Sequence, residues 1–197
     1  MAGKPKPKKP QKPPAKPLYV SFLAEINPTT TEALIGTIGG QLQHGFDELH
    51  LLLSTPGGNV REGIALYNML MGLPLKVITY NVGSVNSIGN VIYLAGTERY
   101  ASRTSSFMFH GVGFDIANTR FEEKELIERL EGLRNDQGLI SDIITRRTKI
   151  RSSEVNQLFL KAAFLRATEA KTRGIVHKIR DIKVPKGATF IQLVFKR

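Results

Sequence analysis

Short apolar runs and helical patterns alternate along the chain from Leu18 onward. Apolar runs with turn residues such as Pro-Gly-Gly at their ends have the length and composition of buried strands: LYVSFLAEI, ELHLLLST, LKVITYNVG and SSFMFHG. Other segments have the apolar spacing of helices: TTTEALIGTIGGQLQHG, NVREGIALYNMLMGL and the small-residue segment NSIGNVIYLAG. Strands and helices that take turns in this way predict a layered α/β fold with a largely parallel sheet and crossover helices.

A long helix is predicted from about Arg120 to Thr148, where apolar residues recur at helical spacing. Its length, on the order of 40 Å at 1.5 Å per residue, exceeds what a small domain can cover. We therefore expect the helix to pack on another chain, which predicts a homo-oligomer. After it the pattern predicts a helix that starts at Ser152 and Ser153 and a further helix in RATEAKTRG. One or two terminal strands are predicted in IVHKIRDIKV and ATFIQLVFKR.

The composition changes this picture mainly at the N-terminus. Residues 1–17 hold six lysines and no acidic residue, and Pro-Lys repeats predict a disordered, extended arm. The favoured interpretation is a solubilising extension, and binding of nucleic acid or of an acidic partner by the arm stays a second hypothesis. In the rest of the chain, 22 basic residues exceed 17 acidic ones by five. Residues 18–197 hold enough apolar residues to bury a core, and we expect them to form one domain.

Three features that the sequence lacks limit the class of protein. No apolar run is long enough to cross a bilayer, and no apolar segment follows the basic N-terminus as a secretory signal would require. Cysteine is absent, which excludes disulfides and thiolate chemistry. We expect a cytoplasmic protein without a membrane segment. No nucleic-acid motif accompanies the basic residues of the C-terminal part, so nucleic acid is not an expected partner there.

Candidate chemistry lies where two predicted strands end in glycine-rich segments, STPGGNV and GSVNSIG. Open α/β sheets place their sites at this edge. Backbone N–H groups of Gly57, Gly58 and Ile88 are placed to converge on one developing negative charge. Ser87 would then stand where a nucleophile stands, and His110, at the end of the FMFH run, would supply the base. These residues alone leave a plainer interpretation open, because Pro-Gly-Gly is a common turn and a serine before a helix is often only its cap.

Other polar residues have structural interpretations. Ser84 and Ser105 are expected to be hydrogen-bonded strand or loop residues, and Asn86 to be a structural hydrogen-bond former. His44, His50 and His177 lie near predicted turns or strand edges and are expected to be surface or partly buried residues. No glutamate or cysteine accompanies these histidines at ligand spacing, so neither a metal nor a cofactor is predicted.

Three blocks together resemble the proteolytic subunit of the Clp proteases: LLLSTPGGNVREGIALYNML, VGSVNSIGNVIYLAGTERYASRTSSFMFHG and FLRATEAKTRGIV. The resemblance spans roughly Leu18 to Ile182. It implies a ClpP/crotonase-like fold with repeated β-β-α units and a protruding long helix, the handle. It also implies Ser87 as nucleophile, His110 as base, and the backbone amides of Gly58 and Ile88 as oxyanion donors.

The sequence departs from the family pattern at the third member of the catalytic triad. The family's carboxylate stands two residues before the Phe of the last block, and this chain has Ala162 there. The segment after His110, GVGFDIAN, also differs from the family's substrate-binding glycines. Within it Asp115 and Asn118 are candidate substitutes for the missing acid, although the family's geometry puts them on the wrong side of the imidazole.

Three hypotheses about function follow. The first is a serine peptidase that hydrolyses unfolded polypeptides inside a chamber of two stacked rings; the resemblance implies heptameric rings and a partner AAA+ ATPase, because the chain has no nucleotide-binding loop of its own. The second is a non-catalytic or impaired paralogue with a scaffold or regulatory role, which Ala162 favours. The third is an acyl-CoA enzyme of the crotonase-like architecture, which Ser87 and His110 disfavour.

Overall fold

The computed structural model describes residues 15–113 and 120–195, so most of the predicted N-terminal arm lies outside the described residues. Within them, the strands are β1 (Pro17–Phe22), β2 (Glu48–Thr55), β3 (Lys76–Asn86), β4 (Glu98–Ala101), β5 (Ser106–Phe109), β6 (Ala163–Arg166), β7 (Lys178–Ile179) and β8 (Thr189–Gln192). The helices are α1 (Pro28–Leu42), α2 (Val60–Gly72), α3 (Gly89–Leu94), α4 (Glu123–Arg147), α5 (Ser152–Leu160) and α6 (Ala167–Thr172).

The described strands form one sheet in the order β6-β5-β3-β2-β1-β8, with β4 against β3 and β7 against β4. The neighbours pair in parallel except β5 and β6, which are antiparallel. Parallel pairing requires a crossover between consecutive strands, and α1 and α2 supply the first two. The predicted α/β class and the largely parallel sheet are confirmed.

Strand β3 changes partner along its length. Its first half pairs with β4 and its last three residues pair with β5. The fully buried side chain of Asn81 lies at this change, where its amide donates to the carbonyl of Ser106 and its oxygen accepts the N–H of Gly83. The change of partner places the residue that follows β3 directly beside the end of β5. Neither β4 nor the extension of β3 to Asn86 was predicted from the sequence.

The two faces of the sheet bury cores of different size. The larger core packs the helices on one face, through residues such as Leu51, Val85 and Phe107. The smaller cluster lies on the other face and contains mostly aromatic side chains: Tyr19, Leu52, Ile78, Tyr80 and Tyr100. Adjacent residues of a strand point to opposite faces, which explains why neighbours such as Leu51 and Leu52 belong to different clusters.

His50 belongs to the buried interior, which corrects the expectation of a surface or partly buried residue. Only 7% of His50 is exposed, and its ring stacks on the rings of Tyr19 and Tyr80. Its ring nitrogens pair with the Tyr80 hydroxyl at 3.1 Å and with the Glu48 carboxylate at 3.2 Å. Burial lowers the pKa of His50 from its ordinary value, although hydrogen bonding to Glu48 opposes the shift. The imidazole is therefore held in its neutral form.

A buried arginine joins the ends of three helices. Arg99 is 4% exposed and donates to four backbone carbonyls, which follow α3, end α4 and follow α6: Gly96, Arg147, Gly174 and Ile175. Helix C-termini carry partial negative charge and unpaired carbonyls, so a guanidinium with several donors fits between them. Burial, with a contribution from the nearby Arg147 charge, lowers the pKa of Arg99 to about 10.

Helix α4 is buried only near its C-terminal end, where Ile140, Ile143 and Ile144 join the larger core. Its 25 residues make it about 37 Å long. Toward its N-terminus large apolar side chains stay 46–49% exposed: Leu126, Ile127 and Leu130. The predicted long helix and its exposed apolar residues are confirmed. Over the described residues, no helix is both long enough and apolar enough to span a membrane.

Candidate active site

Ser87 occupies a sharp turn between the end of β3 and the start of α3. Its φ of 56° lies in the left-handed region, which residues other than glycine rarely adopt and which costs about 1–3 kcal/mol. The turn is stabilised by a hydrogen bond from the Ser87 N–H to the carbonyl of Met108 on β5, at 2.8 Å. Strand β5 therefore supports the serine in this conformation, next to the residue that follows the same strand.

Glycines permit the close packing around this turn. A Cβ atom at Gly57 would lie 2.6 Å from the Ser87 Cβ, and one at Gly63 would lie 2.2 Å from Cγ1 of Ile88. At Gly89 a Cβ atom would lie 2.4 Å from Cγ2 of Thr55. A side chain at any of these positions would push the turn away from β2 or α2. The glycines of the two sequence segments thus bring the Pro-Gly-Gly loop against the serine.

Two backbone amides at this turn are free to bind a ligand. Across residues 15–113 and 120–195, no hydrogen bond uses the N–H of Gly58 or the N–H of Ile88. The third amide considered from the sequence, that of Gly57, donates to Oγ1 of Thr55 at 3.1 Å and is excluded from the set. Gly58 has a φ of 141°, and Ile26 lies so close that a Cβ atom could not fit. The oxyanion donors expected by resemblance, Gly58 and Ile88, are therefore the unpaired ones.

His110 follows the last residue of β5 and is exposed. Its Nδ1 lies 2.8 Å from the carbonyl oxygen of Gly111. Because a carbonyl only accepts, Nδ1 must carry the hydrogen of this bond, and in the neutral imidazole the lone pair is then on Nε2. This is the tautomer that a general base needs. No hydrogen bond joins Ser87 and His110 among the described residues.

A small cavity connects these groups. Its volume is about 90 Å³, and it lies between the Pro-Gly-Gly loop, the serine turn, the residues after β5 and the buried end of α4. Its lining residues include the nucleophile, the base and both free amides: Gly58, Val60, Ser87, Ile88, Phe109, His110, Gly111, Val112, Gly113, Ile140, Ile144 and Phe159. The structure therefore brings together the four residues that the sequence proposed for one reaction.

Ala162 immediately precedes β6, and His110 immediately follows β5. Strands β5 and β6 pair antiparallel, and their last pair is Phe109 with Ala163, so both residues lie just beyond this end of the ladder. Ala162 is exposed and has a φ of 46°. In the described residues, the acceptor on Nδ1 of His110 is the Gly111 carbonyl in place of a carboxylate. The candidate substitutes Asp115 and Asn118 lie outside the described residues.

The remaining polar residues near the turn have structural partners. Ser84 donates to Oδ1 of Asn86 at 2.7 Å, and Ser105 donates to the carbonyl of Ser102 at 2.8 Å. These contacts agree with the structural interpretation given to all three residues. Sequence reasoning missed Asn90, whose amide contacts both sides of the turn. The signal was present, because Asn90 is a polar residue within the small apolar segment that forms α3.

A wider cleft of about 600 Å³ adjoins the cavity and shares Gly58, Val60, Val112 and Gly113 with it. Charged side chains from α2 and α4 line its outer part: Arg61, Glu125, Glu128, Arg129 and Asp136. Over the described part of the chain, no group of three or more metal-ligating side chains is close enough together to hold an ion.

A family model described as Clp protease matches residues 19–183, which is most of the chain. The chain belongs to the Clp protease family. A curated relative, the ATP-dependent Clp protease proteolytic subunit of Cyanophora paradoxa, is 27% identical over 158 residues, which cover 77% of this chain and 80% of that protein.

A solved structure shares the fold of this Clp family member. An asparagine-to-aspartate mutant of ClpP1 from Listeria monocytogenes matches it with a TM-score of 0.73 at 20% identity. The match covers 84% of this chain and 92% of that one. The predicted ClpP-like fold is confirmed, and the resemblance noted in the sequence is confirmed at the level of the family.

Proposed function

We propose that this Clp family member is a serine peptidase in which Ser87 is the nucleophile and His110 the general base. The Ser87 oxygen bonds to the scissile carbonyl carbon while its proton moves to Nε2 of His110. The carbonyl oxygen becomes an oxyanion that the N–H groups of Gly58 and Ile88 stabilise. Collapse of this intermediate breaks the C–N bond as His110 returns the proton to the leaving amine, and water then releases the acyl group by the same steps.

The observation that carries the proposal is the pair of unpaired amides beside the serine. Gly58 is exposed and Ile88 precedes the first turn of α3, so neither N–H needs a partner within the chain and both are available to one ligand. Both line the cavity that also contains Ser87 and His110. An oxyanion between the two N–H groups would accept a hydrogen bond from each of them. This arrangement supports acyl transfer over a purely structural serine cap.

We propose that the activity is weak, because His110 lacks a carboxylate partner within the described residues. A triad carboxylate holds the histidine tautomer and stabilises the imidazolium that forms during attack. The Gly111 carbonyl can hold the tautomer, since it accepts from Nδ1, but as a neutral group it stabilises the imidazolium less. Removing the carboxylate in a related triad lowers kcat by about ten-thousandfold while leaving the geometry intact.

The proposal extends to the assembly. We propose a homo-oligomer of two stacked heptameric rings whose chamber admits unfolded polypeptides from a separate AAA+ ATPase, in a cytoplasmic setting that agrees with the absence of cysteine. The exposed apolar residues of α4 support an interface, because a helix that leaves Leu126, Ile127 and Leu130 about half-exposed has an incomplete core of its own. The family membership supports the ring form.

Sedimentation tests the assembly without reference to activity. The full chain should sediment as a large oligomer at micromolar concentration, and Ile127→Asp with Leu130→Asp should shift it to smaller species. Glu131→Ala, an exposed position on the same helix, is the matched control and should leave the oligomer intact. A stable monomer of the unmodified chain would contradict the proposed assembly.

Labelling with a fluorophosphonate tests the chemistry. The serine oxygen displaces fluoride at phosphorus while the base takes the hydroxyl proton, so stable labelling needs the same two groups as peptide attack. Peptide mapping should find the adduct on Ser87, and Ser87→Ala or His110→Ala should abolish or greatly slow labelling. An adduct elsewhere, or none on the folded protein, would contradict the proposed peptidase.

The second candidate function is a non-catalytic or impaired family member with a scaffold or regulatory role. Two observations favour it: the position expected for the triad carboxylate holds Ala162, and no hydrogen bond joins Ser87 and His110 among the described residues. A folded oligomer that resists fluorophosphonate labelling would support this function. The two experiments together therefore separate the candidates, because only the peptidase predicts both assembly and an adduct.

A further inference from the structure

Asn90, in the first turn of α3, forms hydrogen bonds with the serine turn and with β5, the strand that leads to His110. Its side-chain nitrogen donates to the carbonyl of Ser87 at 2.9 Å and to the carbonyl of Met108 at 2.8 Å. Ser87 is the proposed nucleophile, and Met108 is two residues before the proposed base, His110. The orientation of the amide is determined by these contacts, because only its nitrogen can donate to two carbonyls.

These two hydrogen bonds are additional to a complete set of backbone bonds. The carbonyl of Met108 already accepts the Ser87 N–H at 2.8 Å, and the carbonyl of Ser87 already accepts the Asn90 N–H at 3.1 Å. Removing the Asn90 side chain would therefore leave neither carbonyl without a donor. The need to satisfy buried backbone groups does not explain this asparagine.

Folding stability does not explain the asparagine either. Only 2% of Asn90 is exposed, and its side-chain oxygen is buried without a hydrogen-bond partner. A desolvated acceptor without a donor disfavours the folded state. The neighbouring positions of α3 are apolar and buried, including Val91 and Ile92, so an apolar residue at position 90 would suit the same core. A polar side chain that costs stability and duplicates existing bonds indicates a role in the geometry of the site.

We propose that Asn90 is a positioning residue that fixes the distance and orientation between Ser87 and His110. This inference rests on the proposed function and deepens it. Ser87 holds a left-handed backbone conformation, and within the described part of the chain its N–H bond to Met108 is the one backbone bond between the serine turn itself and β5. One rigid amide spanning the Ser87 and Met108 carbonyls ties the serine turn to β5. His110 lacks a carboxylate partner among the described residues, which makes this constraint more important for attack.

Fluorophosphonate kinetics on the full chain separate positioning from stability. The rate of labelling at saturating reagent reports the alignment of Ser87 and His110, whereas the half-saturating concentration reports reagent binding. For Asn90→Ala we expect the saturating rate to fall by about tenfold to a hundredfold, the range that small misplacements of reacting groups cause. The half-saturating concentration should stay within about twofold, and the melting temperature should be equal to or above that of the unmodified chain.

Two further variants complete the experiment. Asn90→Ser keeps one donor and should restore part of the rate. Val91→Ala removes packing from the next residue of α3 without touching either carbonyl, so it should lower the melting temperature and leave the labelling rate within about twofold. An Asn90→Ala protein that is labelled at the unmodified rate would overturn the inference, as would rates that follow melting temperature across all variants.

Failure of the proposed function gives a different result from failure of this inference. If the unmodified chain is folded and takes no label on Ser87, the proposed peptidase is wrong and the positioning role is wrong with it. If the unmodified chain is labelled on Ser87 and Asn90→Ala is labelled equally fast, only the positioning role is wrong.

Discussion

Ala162→Asp is the substitution that tests most directly how this site works. Phe109 pairs with Ala163 across β5 and β6, and position 162 and His110 are the next residues beyond that pair. An aspartate there can present its carboxylate to Nδ1 of His110. The backbone tolerates the change, because Ala162 has a φ of 46° and aspartate adopts the left-handed region more readily than alanine does.

The size of the gain depends on how well water screens the new pair. A carboxylate about 4 Å from an imidazolium stabilises it by about 4 kcal/mol at an effective dielectric constant of about 20, and by about 1 kcal/mol in bulk water. Position 162 is exposed, so the value for this protein lies between these limits. At about 1.4 kcal/mol per tenfold in rate, kcat/KM should rise between about fivefold and about a thousandfold.

Cleavage of a small fluorogenic peptide measures this gain, with Ala162→Asn as the matched control. Asparagine has the same shape and the same tolerance of the left-handed conformation, but no charge, so it should give less than a few-fold change. Adding Ser87→Ala to the aspartate variant should abolish cleavage and show that the gain belongs to this site. Robust activity in the unmodified chain with no gain from aspartate would refute the reasoning, because His110 would then already have a sufficient partner. An equal gain from asparagine would show that shape, not charge, limits the rate.

Three further predictions concern stability and the serine turn. Arg99→Met should lower the free energy of unfolding in urea by about 2–4 kcal/mol, because the carbonyls of Arg147, Gly174 and Ile175 lose their side-chain donor; an unchanged midpoint would contradict this. Burial holds the pKa of His50 below 6.5, so the unfolded chain binds a proton that the folded chain does not, and the free energy of unfolding should rise with pH from about 5 to about 7. His50→Phe should reduce this dependence of melting temperature on pH, and an identical dependence in the variant would show that His50 is not its cause. Gly63→Ala should slow fluorophosphonate labelling at least about tenfold, because its Cβ would lie 2.2 Å from Cγ1 of Ile88, while Gly132→Ala, with no atom within 4 Å, should not.

Local patterns in the sequence were sufficient to predict most of the elements. ELHLLLST forms β2 with the predicted bounds, and the long polar-apolar segment forms α4 within three residues of the predicted start and one of the predicted end. These segments agree because a buried strand needs a continuous apolar run and a helix needs a repeating apolar face, both of which are visible in a short window. The glycine-rich ends of two predicted strands likewise placed Ser87 and the Pro-Gly-Gly loop at one sheet edge.

Tertiary structure decided whatever depends on contacts between distant segments. His50 is buried because Tyr19 and Tyr80 of neighbouring strands stack on its ring, which no local window reveals. Likewise, β4 forms because β3 and β7 pair with its edges. Two of the four residues of β4, ERYA, are charged, so this segment lacks the apolar run from which SSFMFHG predicted β5.

The chemistry of the site depends on the same distinction. The residues alone offered the amides of Gly57, Gly58 and Ile88, and the family resemblance selected the last two; the fold supplies the physical reason, because Thr55 accepts the N–H of Gly57 and leaves the other two free. Residue types specify which groups are available, since a serine, a histidine and glycines are visible in any reading of the chain. Which of these groups are paired and which stay free is a property of the packed structure, because a hydrogen bond requires both partners to be brought within about 3 Å of each other.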